Sequence, residues 1–95
     1  MINGDYSEFL DHLYFGDELY IEYQNDIFFI EGWYEEKKCI IQCTIVSSNP
    51  LQLLYETSAK TMIECAHNFL EQPLFGGKKL QEIEQQAKWV DTEQG

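Results

Sequence analysis

Residues 19–47 read LYIEYQNDIFFIEGWYEEKKCIIQCTIVS, and the fold turns on how this run pairs with itself. Leu19, Ile21 and Tyr23 alternate with Glu18, Tyr20 and Glu22, the period of two that gives a strand one apolar face. Asn25-Asp26 is the expected two-residue turn, because both residue types tolerate positive φ. Ile27 to Tyr34 then returns as a second strand, which sets Tyr23 opposite Phe28 and Ile21 opposite Ile30. A charged connection, Glu35-Glu36-Lys37-Lys38, leads into a third strand from Cys39 to Ser47. A four-residue loop there sets Ile30 opposite Cys43 and Phe28 opposite Ile45. Both hairpins thus place their apolar residues on one common face. A slip of one residue would send a strand's whole apolar set to the other side, so this agreement points to an antiparallel meander.

Helical spacing flanks the meander. Tyr6, Phe9, Leu10, Leu13 and Tyr14 recur at three- and four-residue steps. Asp5 stands as the cap, with Glu8 in the capping-box position and Gly16 as the left-handed stop. On the other side, Ser47-Ser48-Asn49-Pro50 breaks the chain and Leu51 to Glu56 predicts a short fourth strand. Thr57 or Ser58 is expected to cap a main helix whose stripe is Ala59, Met62, Ile63, Ala66, Phe69 and Leu70, with Pro73 ending it. After Gly76-Gly77, the positions Leu80, Ile83, Ala87 and Val90 predict a last amphipathic helix. Its Glu84 and Lys88 fall in the favourable i,i+4 order. The expected fold is therefore α+β: an antiparallel meander of three to four strands, preceded by one short helix and followed by two helices packed on one sheet face. It forms a single domain over residues 1–95, with residues 91–95 as a polar tail.

Charge narrows the possible partners. Six Lys and no Arg face seventeen Asp and Glu, for a formal charge of −11. Nucleic-acid binding runs on basic side chains that displace counterions from phosphates, and recruitment to anionic lipid runs on the same side chains. Neither suits this composition, so no nucleic acid and no membrane are expected as partners. The longest uninterrupted apolar run, Ile27 to Ile30, is far too short to span a bilayer. The polar start Met1-Ile2-Asn3-Gly4-Asp5 does not resemble a secretory signal, and a cytoplasmic location is expected.

The residues that most often carry chemistry do not assemble into a pattern here. Cys39 and Cys43 share a strand face but lie roughly 13 Å apart along it, too far for one metal ion. Cys65 and His67, two apart on a helix, point in different directions. The three cysteines are expected to be free thiols acting as small apolar residues, with no metal, disulfide or cofactor. His12 and His67 are candidates for a general base, but nothing in the sequence assembles a nucleophile, a base and an oxyanion donor. No catalytic residue is assigned. Phe75-Gly76-Gly77-Lys78-Lys79 precedes a helix, as an anion-binding loop would. It is not a Walker loop, since Gln72 and Lys79 occupy positions that need Gly and Ser or Thr; a tight turn with solvated lysines accounts for it.

The sheet's other face is more informative. By the pairing above it carries Tyr20, Glu22, Phe29, Glu31, Trp33, Ile40, Gln42 and Thr44, too aromatic for a simply solvated surface. Tyr and Trp are typical interface anchors. Tyr20, Glu22, Phe29, Glu31 and Trp33 are accordingly the expected partner-binding residues, unless the first helix covers them in a three-layer arrangement. An acidic chain with such a face suits a protein-interaction domain that binds a basic protein, as inhibitors, immunity proteins and antitoxins do. The alternatives are a ligand-binding domain or enzyme with a pocket between sheet and helices, and a homodimer joined through the sheet.

From Pro73 to Asp91 the sequence begins Pro-Leu-Phe-Gly-Gly-Lys-Lys-Leu-Gln-Glu-Ile-Glu, a Pro-aliphatic-Phe-x-Gly-Lys turn expected to lead into an acidic C-terminal helix. This segment resembles the C-terminal part of small bacterial α+β proteins of unknown function, and the hairpin from Leu19 to Trp33 has a similar look. The resemblance covers less than half of the chain. It implies a bacterial, cytoplasmic α+β domain and carries over no activity and no site.

Overall fold

Strands β1 (Leu19–Tyr23), β2 (Asp26–Glu35) and β3 (Lys38–Ile45) form the expected antiparallel meander in a computed structural model that describes residues 1–91. The expected polar tail falls mostly outside the described residues. The β2–β3 register is the expected one, with Ile30 opposite Cys43 and Phe28 opposite Ile45. The β1–β2 register differs by two residues: Ile21 faces Phe28 and Leu19 faces Ile30. The turn is Gln24-Asn25, with φ of 50° and 70°, and the pair Tyr23 and Asp26 closes it. Two consecutive positive-φ residues match the twist of a tight hairpin. Asp26 begins the strand instead of completing the turn, and its carboxylate accepts a hydrogen bond from the Ser47 hydroxyl (3.4 Å). A shift of two keeps every side chain on its face, so the core assignment survives.

Among the described residues the sheet has five strands, in the order β4-β3-β2-β1-β5, every pairing antiparallel. Strand β4 (Gln52–Ala59) runs three residues beyond the expected end. It pairs Cys43 with Tyr55 but Thr44 with Leu53, so Leu54 is the extra residue of a bulge. Ala59 therefore belongs to a strand rather than to the main helix.

Helix α1 (Tyr6–Phe15) has the expected cap residues: the Asp5 carboxylate accepts from the Ser7 amide at 2.9 Å, in place of the expected capping box with Glu8, and Gly16 closes the helix at φ 80°. Helix α2 (Met62–Leu70) is capped by Thr61, whose hydroxyl accepts from the Glu64 amide at 3.2 Å. Neither Thr57 nor Ser58 caps it, because β4 extends through both. Met62, Cys65, Ala66 and Phe69 form its buried stripe, and Ile63 is exposed. The later start rotates the apolar arc, so Cys65 takes the place that the sequence reading gave to Ile63.

The largest correction lies at the end of the described chain. Helix α3 spans only Leu80–Ile83, and Lys88–Val90 is a strand, β5. β5 pairs with β1, Trp89 opposite Ile21 and Val90 opposite Tyr20. Leu80, Ile83, Ala87 and Val90 are all buried, as their spacing suggested. The edge of β1 offers backbone partners that a lone amphipathic turn lacks, and tertiary pairing overrides the helical period. Ile2 fixes the new strand further, through Ile2 N–H to Ala87 C=O and Trp89 N–H to Ile2 C=O. Glu84 and Lys88 consequently share no helix; Glu84 instead pairs with the Met1 ammonium at 2.9 Å.

The three helices of the described residues pack on one sheet face, making two layers. Phe9 and Leu13 of α1, the α2 stripe, and Leu80 and Ile83 of α3 join Leu19, Ile21, Tyr23, Phe28, Ile30, Ile41 and Cys43 in a single core. Phe75 lies at its aromatic centre, edge-on to Phe28 (4.8 Å between centroids), Phe69 (6.4 Å) and Tyr23 (6.5 Å). Where α1 ends, its backbone presses onto the sheet: the Gly32 amide donates to the Gly16 carbonyl at 3.2 Å. No helix among the described residues is long and apolar enough to cross a membrane.

Candidate protein interface on the outer sheet face

The outer face is built in rows across the strands. One row runs Leu53, Thr44, Phe29, Tyr20 and Val90; the neighbouring rows hold Glu56, Gln42 and Glu31, then Ser58, Ile40 and Trp33. On the other side of the first row, Ile27, Glu22 and Lys88 line up. The expected site residues Tyr20, Glu22, Phe29, Glu31 and Trp33 thus share one surface, and α1 does not cover it. Each of the five is half-buried.

Aromatic packing gives this face its own order. Tyr20 and Phe29 stack with centroids 4.7 Å apart and planes 19° from parallel. Ile40, opposite Trp33, is 4% exposed although it lies outside the inner core. Val90, opposite Tyr20, is likewise buried and outside that core. The sheet therefore has a second apolar layer on the side without helices. Burial of this kind stabilises at roughly 25 cal/mol per Å² of apolar surface.

Carboxylates alternate with these rings. Glu22, Glu31 and Glu56 lie on the face, with Lys88 beside Glu22 in register. The Gln42 amide donates to Glu56 at 3.0 Å. Burial pushes the Glu31 carboxyl up from its ordinary value, and the negative charge of Glu18 pushes it the same way. An approaching cation would act in the opposite direction, because it favours the ionised form. Sequence reasoning missed Lys88 and Val90 because it placed them on a helix, and missed Leu53 because the bulge sets its face.

The other candidates are dispersed. Cys39, Cys43 and Cys65 are free and buried. The Cys65 thiol donates to the Cys39 carbonyl at 3.0 Å, and burial pushes the Cys43 thiol up to about 12. His12 Nδ1 lies 2.6 Å from Asp17, with its ring tilted 5.7 Å from Trp89. His67 is exposed and stacks on Tyr14. The Gly76-Gly77 segment is a tight turn closed by reciprocal backbone bonds between Phe75 and Lys78, and Lys79 is tied to Glu71 at 3.0 Å. Among the described residues, no group of three or more His, Cys, Asp or Glu could hold a metal ion. No family model, no curated protein and no solved structure matches this chain.

Proposed function

We propose that this chain is a protein-interaction domain that binds a basic protein through the outer face of its sheet. The observation that carries this reading is the second aromatic layer, Tyr20, Phe29 and Trp33 interleaved with Glu22 and Glu31, on the side without helices. Rings supply contact area at low entropic cost, and central aromatics dominate binding energy at interfaces. The carboxylates select the sign of the partner and raise its encounter rate, as does the net charge of −11. Inhibitors, immunity proteins and antitoxins work in this way, and a bacterial cytoplasmic setting fits the resemblance of the Pro73–Asp91 segment.

The test is capture from a lysate of the cells that make the chain, with immobilised wild type and a Glu22→Lys/Glu31→Lys double variant. A basic protein retained by wild type at low salt, released at high salt and lost from the variant supports the reading. Equal retention on both columns, or no basic protein on either, contradicts it.

A further inference from the structure

A second surface, away from the sheet face, has the opposite character. Three segments meet there: the last residues of α1, the β2–β3 turn, and the junction between β4 and α2. Between them lies an open groove of roughly 600 Å³. Tyr14, Cys39 and Met62 contribute to its lining, as do Phe15, Tyr34 and Ile63. These last three are exposed by 74%, 68% and 56%, and they make up half of the large apolar side chains that the described residues expose. Lys37, Lys38 and Lys60 also line the groove, half of all the lysines in the chain. Glu36 is the one carboxylate among the lining residues.

Two costs are concentrated at this place. Exposed rings and an exposed Ile lose apolar burial. Three lysines line the groove with a single carboxylate, an excess of positive charge that leaves like charges to repel. In a chain with seventeen acidic residues, pairing each lysine would be easy. Yet among the described residues Lys37 and Lys60 form no ion pair, and Lys38 reaches Glu35 only at 4.0 Å. A ligand carrying both an apolar group and negative charge removes both costs. The groove is open to solvent rather than enclosed, so it suits a segment of chain with one inserted side chain better than an enclosed small molecule.

From this juxtaposition we infer that the groove of Phe15, Tyr34 and Ile63, rimmed by Lys37, Lys38 and Lys60, binds an acidic peptide segment of a partner protein. One bulky apolar side chain of that segment seats between the three exposed hydrophobic residues, and flanking carboxylates meet the lysines. The site is separate from the sheet face and selects the opposite charge, so either can fail without the other.

The experiment follows backbone amide shifts of the full chain by NMR during titration with acetyl-Glu-Glu-Phe-Glu-Glu-amide at millimolar concentration. Parallel titrations use the same peptide with Ala for Phe, phenyl phosphate, and increasing concentrations of the chain alone. The expected result is saturable shifts confined to residues lining the groove, weaker with the Ala peptide and at high salt. Affinity should fall about tenfold in Lys37→Glu/Lys60→Glu, a variant with both changes on the surface. A groove that responds equally to both peptides overturns the proposal, as does one that responds only to phenyl phosphate or only to more of the chain itself. Absence of any shift at the groove overturns it outright.

Discussion

Tyr20 and Phe29 stand directly opposite each other on β1 and β2, and their rings stack 4.7 Å apart on the side of the sheet without helices. Aromatic pairs of this kind add about 0.5–1.5 kcal/mol beyond simple burial. Phe29→Ala should therefore lower stability by about 1–2 kcal/mol in a denaturant titration. A loss above about 3 kcal/mol would mean that Phe29 behaves as a full core residue rather than as part of a half-buried surface.

The inner core should respond more strongly. Phe69 is 1% exposed and packs edge-on against Phe75. Phe69→Ala should cost about 3–5 kcal/mol. Ile63, near the start of the same helix but exposed, should tolerate Ala within about 0.5 kcal/mol. Similar costs for the two, measured by chemical unfolding, would show that the stripe of α2 has been placed on the wrong arc.

Contact between α1 and the sheet depends on a missing side chain. A Cβ on Gly32 would come 2.8 Å from the Gly16 Cα and 3.0 Å from the Met62 sulfur. The Met62 side chain can move, but the Gly16 backbone is held by its bonds to Leu13 and Gly32. Gly32→Ala should destabilise by about 1–3 kcal/mol, as overpacking does. A thermal melt unchanged from wild type would show that α1 shifts freely.

Cys43 provides a pH signature. Its thiol is pushed up to about 12 by burial, whereas an unfolded thiol titrates near about 8.5. The folded chain keeps a proton that the unfolded chain releases. This contribution to stability is intact below about pH 8.5 and is lost as pH rises towards 12. Urea midpoints should fall across that alkaline window, and the fall should be smaller in Cys43→Ala, compared with that variant's own neutral-pH value. Equal slopes for both would remove Cys43 as the cause. Because the thiolate is the reactive form, Cys43 should also resist thiol reagents in the native state and react once unfolded.

Much of this architecture is readable in residues 19–47 because a strand's faces follow from parity alone. Ile21, Phe28, Ile30, Cys43 and Ile45 reach the inner side even though the first turn was misplaced, since a two-residue slip preserves parity. The caps at Asp5 and Gly16 are local chemistry and are equally legible. Lys88–Val90 was not. Leu80, Ile83, Ala87 and Val90 satisfy a helical spacing, while the competing partner, the edge of β1, is nearly seventy residues away in sequence. Thr61 was passed over as a cap for a related reason: β4 continues to Ala59 by pairing with Cys39, a contact that no local signal announces. The outer-face residues Tyr20, Glu22, Phe29, Glu31 and Trp33 were legible as a set. The basic groove was not, because Phe15, Tyr34, Lys60 and Ile63 come together only when three separate segments fold to one place.

The central claim is that a basic protein sits on the outer sheet face, and site-specific photocrosslinking tests it most directly. Trp33, on the central strand of that face, is replaced by p-benzoylphenylalanine; Gln81, exposed on α3, carries the same group as a control. Irradiation in the cells that make the chain should yield an adduct with a basic protein from position 33 and not from position 81. No adduct at position 33, equal adducts at both positions, or an adduct with a second copy of this chain alone would contradict the account.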